Sequence, residues 1–319
     1  MNSVINWPAL VSQLLDILLA LLLAPAYSGW LTCCRARLQQ RSAPSLWQPY
    51  WNLGKLMLKE PVIADRATAL FHLVPYLVFA ALTLAAGIVP LLTSQLILAP
   101  MADAIALVGL FSLVRVFMAL AAMDTGTAFG SLGARREMLM GFLAEPALLS
   151  VFFTVALMTS STSLATIVQT LLHRPFEIYP SLAFAGVAFV MVFLAENGRI
   201  PVDNPTTHLE LTMIHEAMLL EYSGRHLALM EWGQSLKLLV YTAIGCALFL
   251  PWGLAESPSV ATLALAFLLL LLKLLLAGVA IAVLETASAK LRIFRVPEYL
   301  GMAFIFGVLG MFVHVLLET

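Results

Sequence analysis

Charge is what this chain has least of: only 11% of its 319 residues are Asp, Glu, Lys or Arg, while 61% are hydrophobic and the mean hydropathy is +0.96. That balance excludes a soluble globule. No basic tract is present and the net charge is −1, so nothing points to nucleic acid. Cysteine is scarce as well. Cys33 and Cys34 are adjacent and Cys246 stands alone, which provides neither a disulfide framework nor a metal-ligand spacing. The chain also lacks a phosphate-cradling glycine loop, a dinucleotide fingerprint and a nucleophilic triad, so any chemistry must be completed by partners. Internal repeats and low-complexity tracts are absent too.

What is present is a series of long apolar runs, the signature of an all-α integral membrane protein. Eight spans are expected, over 8–31, 68–93, 102–123, 138–160, 180–196, 235–253, 260–286 and 298–317. Ala24-Pro25-Ala26 looks like a signal-peptidase site, but the first basic residue is Arg35, so the positive leader region is missing and the run is read as a retained first helix. Of the 17 basic residues, 14 fall in the connections 32–67, 124–137, 197–237 and 287–297, and Arg174 alone falls on the opposite side. By the positive-inside rule these connections are cytoplasmic and both termini are outside. The chain reads as one polytopic domain, 1–319, with its two longest loops, 32–67 and 197–237, on one face.

The second of these loops concentrates carboxylates. Residues 195–231 carry Glu196, Asp203, Glu210, Glu216, Glu221 and Glu231, about a third of the chain's 18 acids. Asn204-Pro205 reads as a helix start and 205–222 as a short helix. At about 100° per residue, Glu210 and Glu221 would share one face. His208 and His215 are seven apart, about 10 Å by helical rise, too far to ligate one ion, so capping or a proton relay is favoured over a metal. In the first loop, residues 46–60 pair Trp47, Tyr50, Trp51 and aliphatic residues with Lys55 and Lys59, as an interfacial amphipathic helix does.

A charge in the middle of a span costs roughly 2.5–3.5 kcal/mol and calls for a partner or a purpose. Lys273 lies in an unbroken leucine run; Arg115 lies within 102–123, with Asp124 at its end; Glu145 precedes Pro146, whose missing N–H frees a carbonyl near Phe142. Glu137, Glu196 and Glu285 sit near helix ends, and Asp16 is the lone acid of the first run. Buried in this way, the set reads either as structural ion pairs or as a proton-transfer chain, with Arg115 and Lys273 as the charge partners of the acids.

These residues occur in an ordered set of motifs. Arg35-Ala36-Arg37 is followed by Trp47-Gln48-Pro49-Tyr50 and Lys55; then come Arg115-Val116-Phe117, Asp124-Thr125-Gly126, Arg135-Arg136-Glu137, Glu145-Pro146, Glu196-x-x-Arg199-x-Pro201-x-Asp203 and Glu221-Tyr222-Ser223-Gly224. Lys237, Lys273 and Glu285 add charge further on. Over about residues 35–295 the set resembles the membrane-anchor subunit shared by respiratory complex I (its subunit 1) and membrane-bound nickel-iron hydrogenases, on the formate hydrogenlyase side.

The resemblance implies a non-catalytic inner-membrane subunit of an oxidoreductase. It would anchor a peripheral redox arm and couple electron transfer to proton translocation. Implied proton-path residues are Glu145, Glu196, Asp203, Glu210, Glu216, Glu221, Glu285, Arg115, Lys273, Asp124 and Glu137. Implied docking residues are Arg35, Arg37, Trp47, Gln48, Pro49, Lys55 and Arg199. The implied partners are hydrogenase-like large and small subunits, an iron-sulfur subunit and antiporter-like membrane subunits. Iron-sulfur clusters and a nickel-iron centre would sit in those partners, with no cofactor held by this chain. The chain departs from the family pattern at Arg41-Ser42-Ala43-Pro44 and after Asp203, both on the docking surface. Alternative readings are a quinone-site subunit of an NADH:quinone oxidoreductase, a secondary transporter and a purely structural anchor.

Overall fold

The computed structural model describes residues 7–64, 67–94, 96–97, 103–173, 179–199, 214–255, 259–288 and 295–318. These form eleven α-helices: α1 (Trp7–Leu38), α2 (Gln48–Met57), α3 (Ala69–Ile88), α4 (Ala104–Asp124), α5 (Ala128–Thr159), α6 (Leu164–His173), α7 (Pro180–Glu196), α8 (His215–Leu219), α9 (Gly224–Phe249), α10 (Val260–Ala287) and α11 (Val296–Val313), the last running into a π turn, His314–Glu318. Among the described residues there is no β-sheet, only two isolated bridges.

Local chemistry sets the starts. The side chains of Thr68, Asp103, Thr127 and Ser259 each accept a hydrogen bond from a backbone N–H of the helix that follows, while α2, α7 and α11 have Pro in their first turn, where no N–H is needed.

Each expected span falls on a helix. Six of these, α1, α3, α4, α5, α10 and α11, are long and apolar enough to cross a membrane. The other two do not reach that measure: α7 has 17 residues, and α9 carries Glu231, Gln234, Ser235 and Lys237 up to its middle. The expected count of eight spans is thus not confirmed: eight helices occupy the expected positions, and six of them have the length and composition of a span. Boundaries differ as well. α5 begins ten residues earlier than expected, at the Thr127 cap, and α9 begins eleven residues earlier, at Gly224.

The helices pack in a row. α10 lies on α1, α1 on α9 and α3, α3 on α4, and α4 on α5; α5, α7 and α11 close the other end. A continuous apolar core runs through this row. The two long loops meet on one face, where the Ser223 hydroxyl donates to the Val62 carbonyl and accepts from the Val62 N–H, both at 2.7 Å. Gly224 makes this approach possible. Its φ of +52° and the Lys59 oxygen, 2.7 Å from where a Cβ would sit, leave no room for a side chain.

Of the helix expected over 205–222, residues 205–213 lie outside the described residues. The described part is helical only from His215 to Leu219. It ends early because Tyr222 turns inward, stacking on Phe71 with ring centroids 4.0 Å apart and donating to the Phe71 carbonyl.

A buried arginine shared by three carboxylates

The site is built around Arg115, halfway along apolar α4 and 4% exposed. Each nitrogen of its guanidinium faces a different carboxylate. Nε lies 3.3 Å from Glu137 Oε1, Nη1 donates to Glu145 and Nη2 donates to Glu196. The rigid planar fork of arginine suits such sharing, which a lysine ammonium would not reproduce.

Four elements deliver the acids and their neighbours. Glu137 and Glu145 stand two turns apart on α5, and Glu196 is the last residue of α7. A bare patch on α5 lets the guanidinium in, since a Cβ on Gly141 would lie 2.5 Å from both Cδ and Nη1 of Arg115. Lys237 of α9 donates to the second Glu196 oxygen at 2.9 Å, and its ammonium lies 5.9 Å from the Tyr241 ring centroid. His215 Nε2 of α8 lies 3.4 Å from Glu137 Oε2.

A second set sits nearby. Glu285, near the end of α10, pairs with Arg199 at 3.4 Å and Arg35 at 3.7 Å. Between the two sets opens a cavity of about 1160 Å³ whose walls include Arg35, Glu196, Arg199, His215, Lys237 and Glu285. Two ion-pair sets thus share one chamber, large enough for water, beneath the polar loops.

The expected site residues divide accordingly. Arg115, Glu137, Glu145 and Glu196 form one constellation, and Glu285, Arg199 and Arg35 form the second. Glu216 is exposed on α8 at the cavity edge, and Glu221 is half-buried in the turn before α9. Asp124 ends α4 and accepts from the Thr68 N–H at 2.8 Å and hydroxyl at 2.9 Å. Asp203 and Glu210 lie outside the described residues.

Lys273 belongs to neither set. Its ammonium donates to the carbonyls of Leu250 (2.6 Å) and Trp252, just past the end of α9. The expectation that it partners the buried acids is corrected by that placement: the backbone oxygens at a helix C-terminus attract a cation as an acid would. Of the docking residues, Arg37, Trp47, Gln48 and Lys55 are exposed and Pro49 is partly buried.

Sequence reasoning does not place three participants in this cluster. Lys237 reads there as a loop cation and as one charge of the motif set, with no partner assigned. His215 reads as a capping or relay group, with nothing to connect it to Glu137. Nothing in the sequence marks Gly141. Among the described residues no group of three or more His, Cys, Asp or Glu is placed to hold a metal ion.

The profile of the family described as NADH dehydrogenase matches residues 12–316. The chain belongs to this family. Within it, the chain is 33% identical over 295 residues to formate hydrogenlyase subunit 4 of Escherichia coli (strain K12), covering 92% of this chain and 95% of that protein. It is also 33% identical to hydrogenase-4 component C of the same organism, with 92% of each covered. An NADH-quinone oxidoreductase subunit of Wolbachia pipientis wMel is 27% identical over 270 residues, covering 78% of this chain and 76% of that one. The fold matches a chain in the structure of the membrane-bound sulfane sulfur reductase, an archaeal respiratory membrane complex, with a TM-score of 0.80 at 22% identity over 95% and 98% of the two chains. Family members of the hydrogenase type are thus among its relatives, as the motifs implied.

Proposed function

We propose that this chain is the membrane subunit of a complex-I-like, hydrogenase-type oxidoreductase, where it anchors the peripheral redox arm and couples electron transfer to proton translocation. The observation that carries the reading is Arg115 shared by Glu137, Glu145 and Glu196 beside a chamber that opens on Glu196. A single cation divided among three acids lets one acid take a proton while the other two keep the guanidinium in place. Glu145 and Glu196 are bound by the same guanidinium, which keeps its own protons and holds the two acids as neighbouring proton sites. Glu285, held by Arg35 and Arg199, forms the chamber's other wall.

In this reading the polar loops face the cytoplasm of a bacterial-type inner membrane, both termini lie outside, and α2 with Arg35, Arg37, Trp47, Gln48, Pro49 and Lys55 meets hydrogenase-like large, small and iron-sulfur subunits. Iron-sulfur clusters and a nickel-iron centre belong to those partners and supply the electron chemistry. Antiporter-like membrane subunits adjoin the bundle. Asp203 and Glu210 stay in the proposed proton path by their place in the second loop.

The test is Glu196→Gln and Glu145→Gln in the assembled complex, reconstituted in liposomes. Hydrogen turnover with a soluble electron donor should persist while proton uptake into the vesicles is lost. Full coupled transport in both variants would remove the relay assignment. The chamber and the relationship to an NADH-quinone oxidoreductase favour a second reading, a quinone-reducing complex; inhibition of turnover by a quinone-site inhibitor would select it.

A further inference from the structure

The ion pairs around Arg115 do not balance. Among the described residues three carboxylates, Glu137, Glu145 and Glu196, share two permanent cations, Arg115 and Lys237. One negative charge is left over in a region where Glu137, Glu196 and Arg115 are all at most 6% exposed. The surplus can be located: Oε1 of Glu137 faces Arg115, whereas Oε2 is buried and accepts no hydrogen bond. The second set has the opposite imbalance, Glu285 against Arg35 and Arg199, but no ion pair among the described residues joins it to Glu137. An uncompensated carboxylate oxygen in such a place is poorly tolerated, and a proton is the smallest charge that removes the problem.

Among the described residues one titratable side chain reaches that oxygen. His215 Nε2 is 3.4 Å from Glu137 Oε2, and the rest of the ring borders the chamber, with Nδ1 toward Gly198 at the end of α7. Among the described residues the groups around it are Glu137 from α5, Arg115 from α4, Glu196 and Arg199 at the end of α7, Lys237 from α9, Glu216 on its own helix, and Arg35 and Glu285 across the chamber. We propose that the Arg115 cluster is a one-proton store, filled from the chamber through His215. In the filling step the Nε2–H bond of an imidazolium breaks and an O–H bond forms on Glu137 Oε2; the ring becomes neutral and takes its next proton from solvent in the chamber. Protonated Glu137 then loosens its hold on Arg115 Nε, leaving the guanidinium to Glu145 and Glu196. This rests on the proton-translocation reading above and adds its point of entry.

The test uses the whole complex in liposomes, read as protons moved per hydrogen turned over, with redox turnover on a soluble donor followed separately. His215→Ala should lower transport by about 100-fold, the lower range for loss of a positioned acid–base group. Millimolar imidazole should restore it, because the vacated site borders the chamber, and methylimidazoles should restore it in the order of their basicity. His215→Arg supplies a permanent cation that balances the cluster but cannot release a proton; it should assemble, resist heat as well as the unmodified complex, and fail to transport with or without imidazole. Normal transport by either variant overturns the proposal, and so does His215→Ala that imidazole cannot restore, which would leave His215 a packing role. Glu196→Gln, run beside them, separates the two levels: if it stops transport while His215→Ala does not, the relay stands and the entry point falls; if neither matters, both fall.

Discussion

At the scale of single residues, the cluster depends on the smallest side chain in it. Because a Cβ at Gly141 would lie 2.5 Å from Arg115 Cδ and Nη1, Gly141→Ala must push the guanidinium off the α5 surface, and it cannot keep all three carboxylates. The expected cost is about 1–3 kcal/mol of overpacking strain, with the complex still assembled and proton transport lost, as liposome uptake assays would read. Arg115→Leu is harsher. Removing the cation from three acids leaves buried uncompensated charge, at about 3–5 kcal/mol, so the purified yield of complex should collapse. Arg115→Lys should assemble, since a point charge remains, yet transport poorly for want of the fork. Transport at the unmodified level by the Gly141→Ala and Arg115→Lys variants would show that the sharing geometry is incidental. Arg115, Glu137, Glu145 and Glu196 are legible in sequence because charge is so rare here that each buried one asks for an explanation. Gly141 is not legible, because its importance appears only once the path of the Arg115 side chain over α5 is known.

At the scale of helices, apolar length predicts position well and ends poorly. Each expected span lies on a helix, yet α5 and α9 start ten or eleven residues early, since a helix continues through polar residues as long as caps and neighbouring backbones satisfy it. α6 is missed altogether: ten residues that pack against α5 and α9 are too few for a window suited to spans. Caps carry predictions of their own. Thr68 receives Leu70 N–H at 3.2 Å and is itself held by Asp124, so Thr68→Ala removes both the α3 cap and the hydroxyl's tie between α3 and α4. It should destabilise the detergent-solubilised protein by about 1–2 kcal/mol, seen as a lowered Tm. Lys273→Met removes a charged donor from two carbonyls that close α9 and pins α10 less firmly, at about 1.5–3 kcal/mol. Its Tm should fall while coupled transport survives. Loss of transport at an unchanged Tm would instead return Lys273 to the proton path.

At the scale of the whole molecule, the outer surface is not uniform, and the differences say what covers it. α10 presents Leu265, Leu268, Leu272 and Leu276, each more than half exposed, with no charge among them, and lipid chains accept such a face. α5 differs. Phe142 is 77% exposed, and one turn further the Glu145 side chain, at the middle of the helix, is 34% exposed. A carboxylate open to hydrocarbon there would cost about 2.5–3.5 kcal/mol, whereas a neighbouring protein can provide hydrogen bonds or a counter-charge. The α5 face around Phe142 should therefore be covered by another membrane subunit, and the α10 face by lipid. A photo-crosslinking residue placed at Phe142 in the native membrane should give a protein adduct, and the same residue at Leu272 should give lipid adducts only. Lipid adducts at Phe142 would mean that Glu145 meets the bilayer directly. Its carboxylate would then have to stay closed against Arg115, which makes it a terminus of the cluster and not a step toward a neighbour.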